Sequence, residues 1–198
     1  GGGISLFKSG SVTTKIDNSK NKVSICENRA TSGGGVFVAS SPVDNEIVAT
    51  ITLGGVEIKN NMVTKYGGGV CITTLSEGDN ENNANYHGIL KDSEGKKLLG
   101  VDATIGSKDE ANNGAILEGN EAKNTVGSIP KDNANKLYGL GGGLYVLGAT
   151  VQIWNTDIIS NSTQFEVNYS YKGESFHENV GGYGAGIYAT YSNVKIND

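Results

Sequence analysis

Residues 25–40 read ICENRATSGGGVFVAS: an apolar residue, an Asn three places on, a small residue two later, then three glycines running into alternating apolar side chains. The same order returns at 58–72, IKNNMVTKYGGGVCI, with Asn61, Val63 and Gly67 to Gly69. A pattern that recurs in this way marks a repeat architecture, whose units bury their apolar faces only by stacking on one another.

Working outward, glycine-led strands fall into register at Gly3-Ile4-Ser5-Leu6, Gly35-Val36-Phe37-Val38, Gly69-Val70-Cys71-Ile72 and Gly143-Leu144-Tyr145-Val146. A fifth, Gly186-Ile187-Tyr188-Ala189, follows GGYGAG. Side chains alternate faces along a strand, so the Ile, Val and Leu positions form the inside and Ser5, Phe37, Cys71, Tyr145 and Tyr188 the opposite face. Eight residues beyond Gly143 and Gly186 come second strands, VQI at 151–153 and VKI at 194–196. Third strands start five later: Val56-Glu57-Ile58 follows Ile51-Thr52-Leu53 as Thr156-Asp157-Ile158 follows Val151-Gln152-Ile153. Each third strand leads to an asparagine at a spacing of three, from Ile25 to Asn28, Ile58 to Asn61, Leu117 to Asn120 and Ile158 to Asn161. The tightest steps give 25 residues per turn. Three short strands and three corners in that length predict an all-β solenoid, a parallel β-helix.

Corners explain the two residue types. A solenoid must change direction within a few residues, which calls for left-handed dihedrals that Gly takes without penalty and Asn tolerates better than most. An Asn recurring at one corner, here Asn28, Asn61, Asn120 and Asn161, can also bond backbone groups of the next turn through its amide.

An apolar-x-x-Asn element followed by a glycine-rich GG-x-[VIL] strand resembles the paired FxxN and GGA[ILV] repeats of polymorphic outer-membrane proteins. The residues that carry the likeness are Asn28 with Gly33 to Val36, Asn61 with Gly67 to Val70, Asn120, Gly141 to Leu144, and Asn161 with Gly184 to Ile187. Phe is replaced by Ile or Leu, and the Ala of GGA is usually Gly. The resemblance implies a right-handed parallel β-helix that serves as an adhesin, cell-surface or secreted, presenting loops to a glycan or protein on a host or neighbouring cell.

Glycine-to-glycine distances of 32, 34, 74 and 43 exceed 25, so every turn carries extra residues, which solenoids place at corners where partners bind. The chain is therefore expected to be one β-helix segment, 1–198, of a longer protein, with insertions at 75–113 and 163–183. Within the first, ILKDSEGKKLL at 89–99 reads as a hairpin, and the 74-residue gap has room for degenerate turns. The second is rich in aromatics: of 14 Phe, Trp and Tyr residues, 10 follow residue 137. Two readings stand side by side. These rings pack the insertion onto the strands, or Tyr169, Tyr171, Phe176, Tyr183, Tyr188 and Tyr191 form a platform for a sugar or protein, since Tyr joins an apolar face to a hydroxyl.

Other chemistry finds less footing. A net charge of -5 with Arg29 the only arginine excludes the basic stripe that nucleic acid requires. No run reaches the 18 or so apolar residues of a membrane helix. A polysaccharide lyase or glycosidase on this scaffold needs converging carboxylates, whereas the outward positions Glu57, Asp157, Gln152 and Lys195 are mixed. His87 and His177 stand in separate insertions without a partner at ligand spacing. GGYGAGIYA at 181–189 has Gly186 where a calcium nonapeptide repeat has Asp. No metal or cofactor is expected, Cys26 and Cys71 are expected to be unpaired, and the sequons at Asn161 and Asn168 are read as chance. The structural alternative is a fibre or surface-layer subunit whose turns associate end to end.

Overall fold

Alternating Val, Ile and Leu draw each short segment into extended backbone, and the glycine and asparagine corners hand it to the next. The computed structural model describes residues 1–8, 10–14, 21–40, 49–74, 100–108, 113–126, 139–171, 174–179 and 182–197; within these, the side chains of residues 8, 124–126, 165–171 and 174–179 lie outside the description. The first pass of the chain lays down β1 (Ile4–Lys8), β2 (Gly10–Thr14), β3 (Val23–Cys26) and β4 (Arg29–Ser32). A second adds β5 (Val36–Ser40), β6 (Ala49–Leu53), β7 (Val56–Lys59) and β8 (Met62–Tyr66), and a third β9 (Val70–Thr74), β10 (Val101–Ile105), β11 (Ile116–Glu118) and β12 (Glu121–Val126). The fourth gives β13 (Leu144–Leu147), β14 (Thr150–Trp154), β15 (Asp157–Ile159) and β16 (Ser162–Tyr171); then come β17 (Glu174–Asn179), β18 (Ile187–Thr190) and β19 (Asn193–Asn197).

These strands form four sheets ordered β1-β5-β9-β13-β18, β2-β6-β10-β14-β19, β3-β7-β11-β15 and β4-β8-β12-β16-β17, numbered first to fourth below. Every pair is parallel except β16 with β17. The molecule is thus all-β, with parallel strands in stacked sheets.

Register places like on like. Ile4, Val36, Val70, Leu144 and Ile187 align across the first sheet, as do Val12, Ile51, Ala103, Val151 and Val194 across the second. In the third, Ile25, Ile58, Leu117 and Ile158 align. Their inward faces meet in one apolar core, in which Ile58, Leu117 and Leu144 are fully buried. Each such side chain contributes roughly 1.5–3 kcal/mol by leaving water. A second cluster lies on the opposite face of the first sheet, where Phe37, Cys71, Tyr145 and Leu147 are buried with Tyr66 and Leu140. Both faces of that sheet are therefore covered, and β5 and β9 are buried at every position.

Three expectations change. Among the described residues each of the first four passes has four strands, because the residues between the Asn and the glycines, RATS, MVTKY and EAKNTV, are themselves extended. Their inward positions are short or single, with Val63 and Ala122 buried, so their apolar alternation is faint. The segment 75–113 is not one insertion: Val101–Ile105 alternates buried and half-buried and pairs with both β6 and β14, while 75–99, including the expected hairpin and His87, and 109–112 lie outside the described residues. Among the described residues, one pass, β9 to β12, lies within the 74-residue gap. Nor is 163–183 a loop from its start, since β16 pairs with β12 from Ser162 to Val167 before turning back antiparallel through β17. Its alternating aromatic and β-branched residues favour extended backbone.

Candidate ligand-binding surface

The corner after the third sheet organises what surrounds it. Glu27, Asn60 and Ser160 hold φ of 60°, 54° and 53°, and Gly119 takes 64°; each directly precedes a ladder asparagine. The left-handed residue turns the chain, and the Asn after it is free to reach sideways. Asn61 Nδ2 donates to Asn120 Oδ1 at 3.0 Å and back to the Ile25 carbonyl at 3.0 Å, while its own Oδ1 accepts from Asn28 N at 3.0 Å and Asn28 Nδ2 at 2.9 Å. Asn120 repeats the set, donating to Asn161 Oδ1 at 2.9 Å and the Ile58 carbonyl at 2.8 Å. Asn161 Nδ2 in turn reaches the Leu117 carbonyl at 2.8 Å. Asn61 and Asn120 are fully buried, yet every amide atom has a partner.

Ahead of the first sheet the glycine triplet has a different task at each place. Gly67 holds φ +64°, and a Cβ on Gly68 would stand 2.5 Å from the Gly142 carbonyl oxygen and 2.7 Å from the Glu121 backbone, so the passes approach too closely for any side chain.

On this frame sit the aromatic residues. Tyr183 occupies the corner place held by Tyr66 and Leu140 in earlier passes, which are 5% and 3% exposed, but is itself 54% exposed. Tyr188 stacks on Tyr145 at 5.6 Å between ring centroids and 4° between planes, and Tyr145 stacks on Tyr66 at 4.8 Å. Tyr191, 45% exposed with φ 53°, stands at the turn between β18 and β19. Tyr183, Tyr188 and Tyr191 thus share the last pass, at the first sheet and its two flanking corners. The side chains of Tyr169, Tyr171 and Phe176 lie outside the described ones; in the backbone, Tyr169 and Phe176 are cross-strand partners in the β16–β17 pair.

Sequence reading missed the aromatic at the next corner. The Lys108 ammonium stands 5.7 Å from the centre of the Trp154 ring, and Asn155 Nδ2 donates to the Ser107 carbonyl at 2.7 Å. Nothing in the spacing of residues 108 and 154 signals this contact, which the alignment of β10 with β14 creates.

The third sheet's outer face is charged. Lys59 Nζ lies 3.2 Å from Glu118 and 3.4 Å from Glu57, and its pKa is raised, chiefly by the hydrogen bond to Glu118. Among the described residues, no group of three or more His, Cys, Asp or Glu side chains is placed to hold a metal ion. Cys26 is exposed and Cys71 buried, both as free thiols, and burial pushes the Cys71 thiol far above its ordinary pKa. Among the described residues no helix is long and apolar enough to cross a membrane. Compared with protein-family models, with curated proteins and with solved structures, the chain matches none.

Proposed function

We propose that the chain is a right-handed parallel β-helix acting as an extracellular or cell-surface binding module, in the manner of the adhesin-like repeats it resembles. The parallel pairing in the four sheets, which only the β16–β17 pair breaks, supports the helix, and connections between parallel strands of one sheet are right-handed almost without exception. One observation carries the binding role: Tyr183 and Tyr191, 54% and 45% exposed, flank a Tyr188 held by its stack on buried Tyr145. Rigid rings with a wet hydroxyl edge suit a glycan or a protein surface. The β16–β17 pair extends the same flank.

Glycan and host-protein arrays test this reading. The chain is expected to retain a ligand, and Tyr183→Ala combined with Tyr188→Ala to weaken it about tenfold, the size of one lost stacked ring. Empty arrays, or binding untouched by both substitutions, would sink the assignment to these tyrosines.

A further inference from the structure

We propose that the outer face of the second sheet, over β14 and β19, is a groove for an uncharged, extended polysaccharide. The proposal rests on the reading of the chain as a binding module and names a ligand class and a second place for it.

Outward positions on the inner strands of this sheet are Thr50 and Thr52 on β6, Asp102 and Thr104 on β10, and Thr150 and Gln152 on β14, aligned in two columns. Neighbouring strands repeat at about 4.8 Å, and alternate residues along a strand at about 6.6 Å, so hydroxyls recur on a regular grid. On β19 the columns continue as Asn193 and Lys195. Asp102 and Lys195 offset each other, and the rest is neutral. The third sheet, by contrast, shows Glu57, Lys59, Glu118 and Asp157. In a chain of net charge -5, a neutral face rich in hydroxyl and amide groups complements an uncharged hydroxyl-bearing polymer and offers little to a polyanion.

The face is also accessible: Thr50, Gln152, Asn193 and Lys195 are exposed, and Thr52, Thr104 and Thr150 are half-buried. Over the last two strands the surface dips into a shallow depression of about 530 Å³, lined by Thr150, Val151, Gln152, Ser192, Asn193, Val194 and Lys195. Along the strands, Tyr191 stands two residues before Asn193 and Trp154 aligns with Asn197, about 20 Å apart, with the Lys108 ammonium 5.7 Å from the centre of the Trp154 ring. Exposed Tyr191, beside the depression, offers a face to the C–H groups of a sugar ring, while the amides and hydroxyls of the floor take sugar hydroxyls. That length fits an oligosaccharide lying along the strands. A flat hydroxyl grid alone would also suit ordered water at an ice surface, but the depression and the exposed Tyr191 beside it favour sugar.

Calorimetric titration of the whole chain with cellohexaose, xylohexaose and mannohexaose, and with hexagalacturonate as the charged comparison, tests the groove. At least one neutral hexasaccharide is expected to bind and hexagalacturonate to bind at least tenfold more weakly. Gln152→Glu with Asn193→Asp, and separately Tyr191→Asn, which keeps a residue tolerant of positive φ, should each cost about tenfold in affinity. Gln152→Ala serves as a second, charge-free variant, and thermal melts check that each folds. Neutral binding that ignores all of these substitutions but falls with Tyr183→Ala overturns the groove and leaves the binding-module reading standing. No neutral sugar bound, or a preference for hexagalacturonate, overturns the groove, and empty glycan and protein arrays overturn the broader reading as well. Thermal hysteresis without sugar binding assigns the face to ice and overturns it too.

Discussion

Two buried residues show how single side chains decide this structure. Asn120 lies at the centre of the ladder with all its amide atoms engaged, so Asn120→Ala strands the Asn61 backbone N–H and amide as well as the Ile58 carbonyl. The expected loss is about 3–5 kcal/mol, read from the denaturant midpoint; Asn28→Ala, at a half-buried position with fewer bonds, should cost about 1 kcal/mol. Cys71 gives a prediction about pH. Its folded-state pKa is raised by burial from an ordinary value of 9.0, so above that pH the unfolded chain sheds the proton while the folded chain keeps it. The unfolded state then binds fewer protons, and stability falls as pH climbs. Unfolding free energy measured from pH 8 to 10.5 should fall more gently in Cys71→Ala than in the parent. In the native protein a thiol reagent should titrate one fast cysteine, the exposed Cys26, and reach Cys71 only on unfolding.

Elements are governed by their corners. Ser160 and Glu27 carry the left-handed turn without being glycine, at a cost of roughly 1–2 kcal/mol each. Ser160→Gly and Glu27→Gly should each raise stability by up to about 1 kcal/mol in a melting experiment, after the extra freedom of glycine in the unfolded chain is subtracted. Gly68→Ala should do the reverse by more than about 3 kcal/mol, because backbone on the adjoining passes occupies the space. Strands with two inward aliphatics, such as VFV, TITL and VEI, were legible in the sequence, and their alternation marks which residues align. The fourth strand was not, because its inward positions hold Ala30, Val63, Ala122 and Thr163, too small or too polar to stand out. The corner asparagines were legible by spacing, but the left-handed residue proved to be the one before each, and Glu27, Asn60, Gly119 and Ser160 share no chemistry that reveals it. Of the candidate surface, the tyrosines of the last pass could be named from composition. Trp154 under Lys108, and the two polar columns of the second sheet, depend on register between passes and could not.

Over the whole molecule, the stacking of like strands in four sheets predicts that stability is largely a sum of contacts between neighbouring passes. Inner strands β6, β7, β9, β10, β11 and β13 have a partner on each side, and their inward residues are buried, whereas Val12, Ile158, Ile187 and Val194 on outer strands are partly exposed. Hydrogen exchange should therefore be slowest in the inner set and at least tenfold faster in β1, β2 and β19, with intermediate rates between; uniform protection along the chain would argue for a single cooperative unit instead.

The asparagine column has one further property. Asn28, Asn61 and Asn120 each donate one amide proton to the oxygen of the next asparagine up the column, so the column has a head and a tail. Removing one complete layer would bring a head against a tail again, with each partner of the right kind, while a cut of any other size would not. Chain length is thus free to drift by whole layers in descent, and the molecule can lengthen or shorten its reach without redesigning what holds it together.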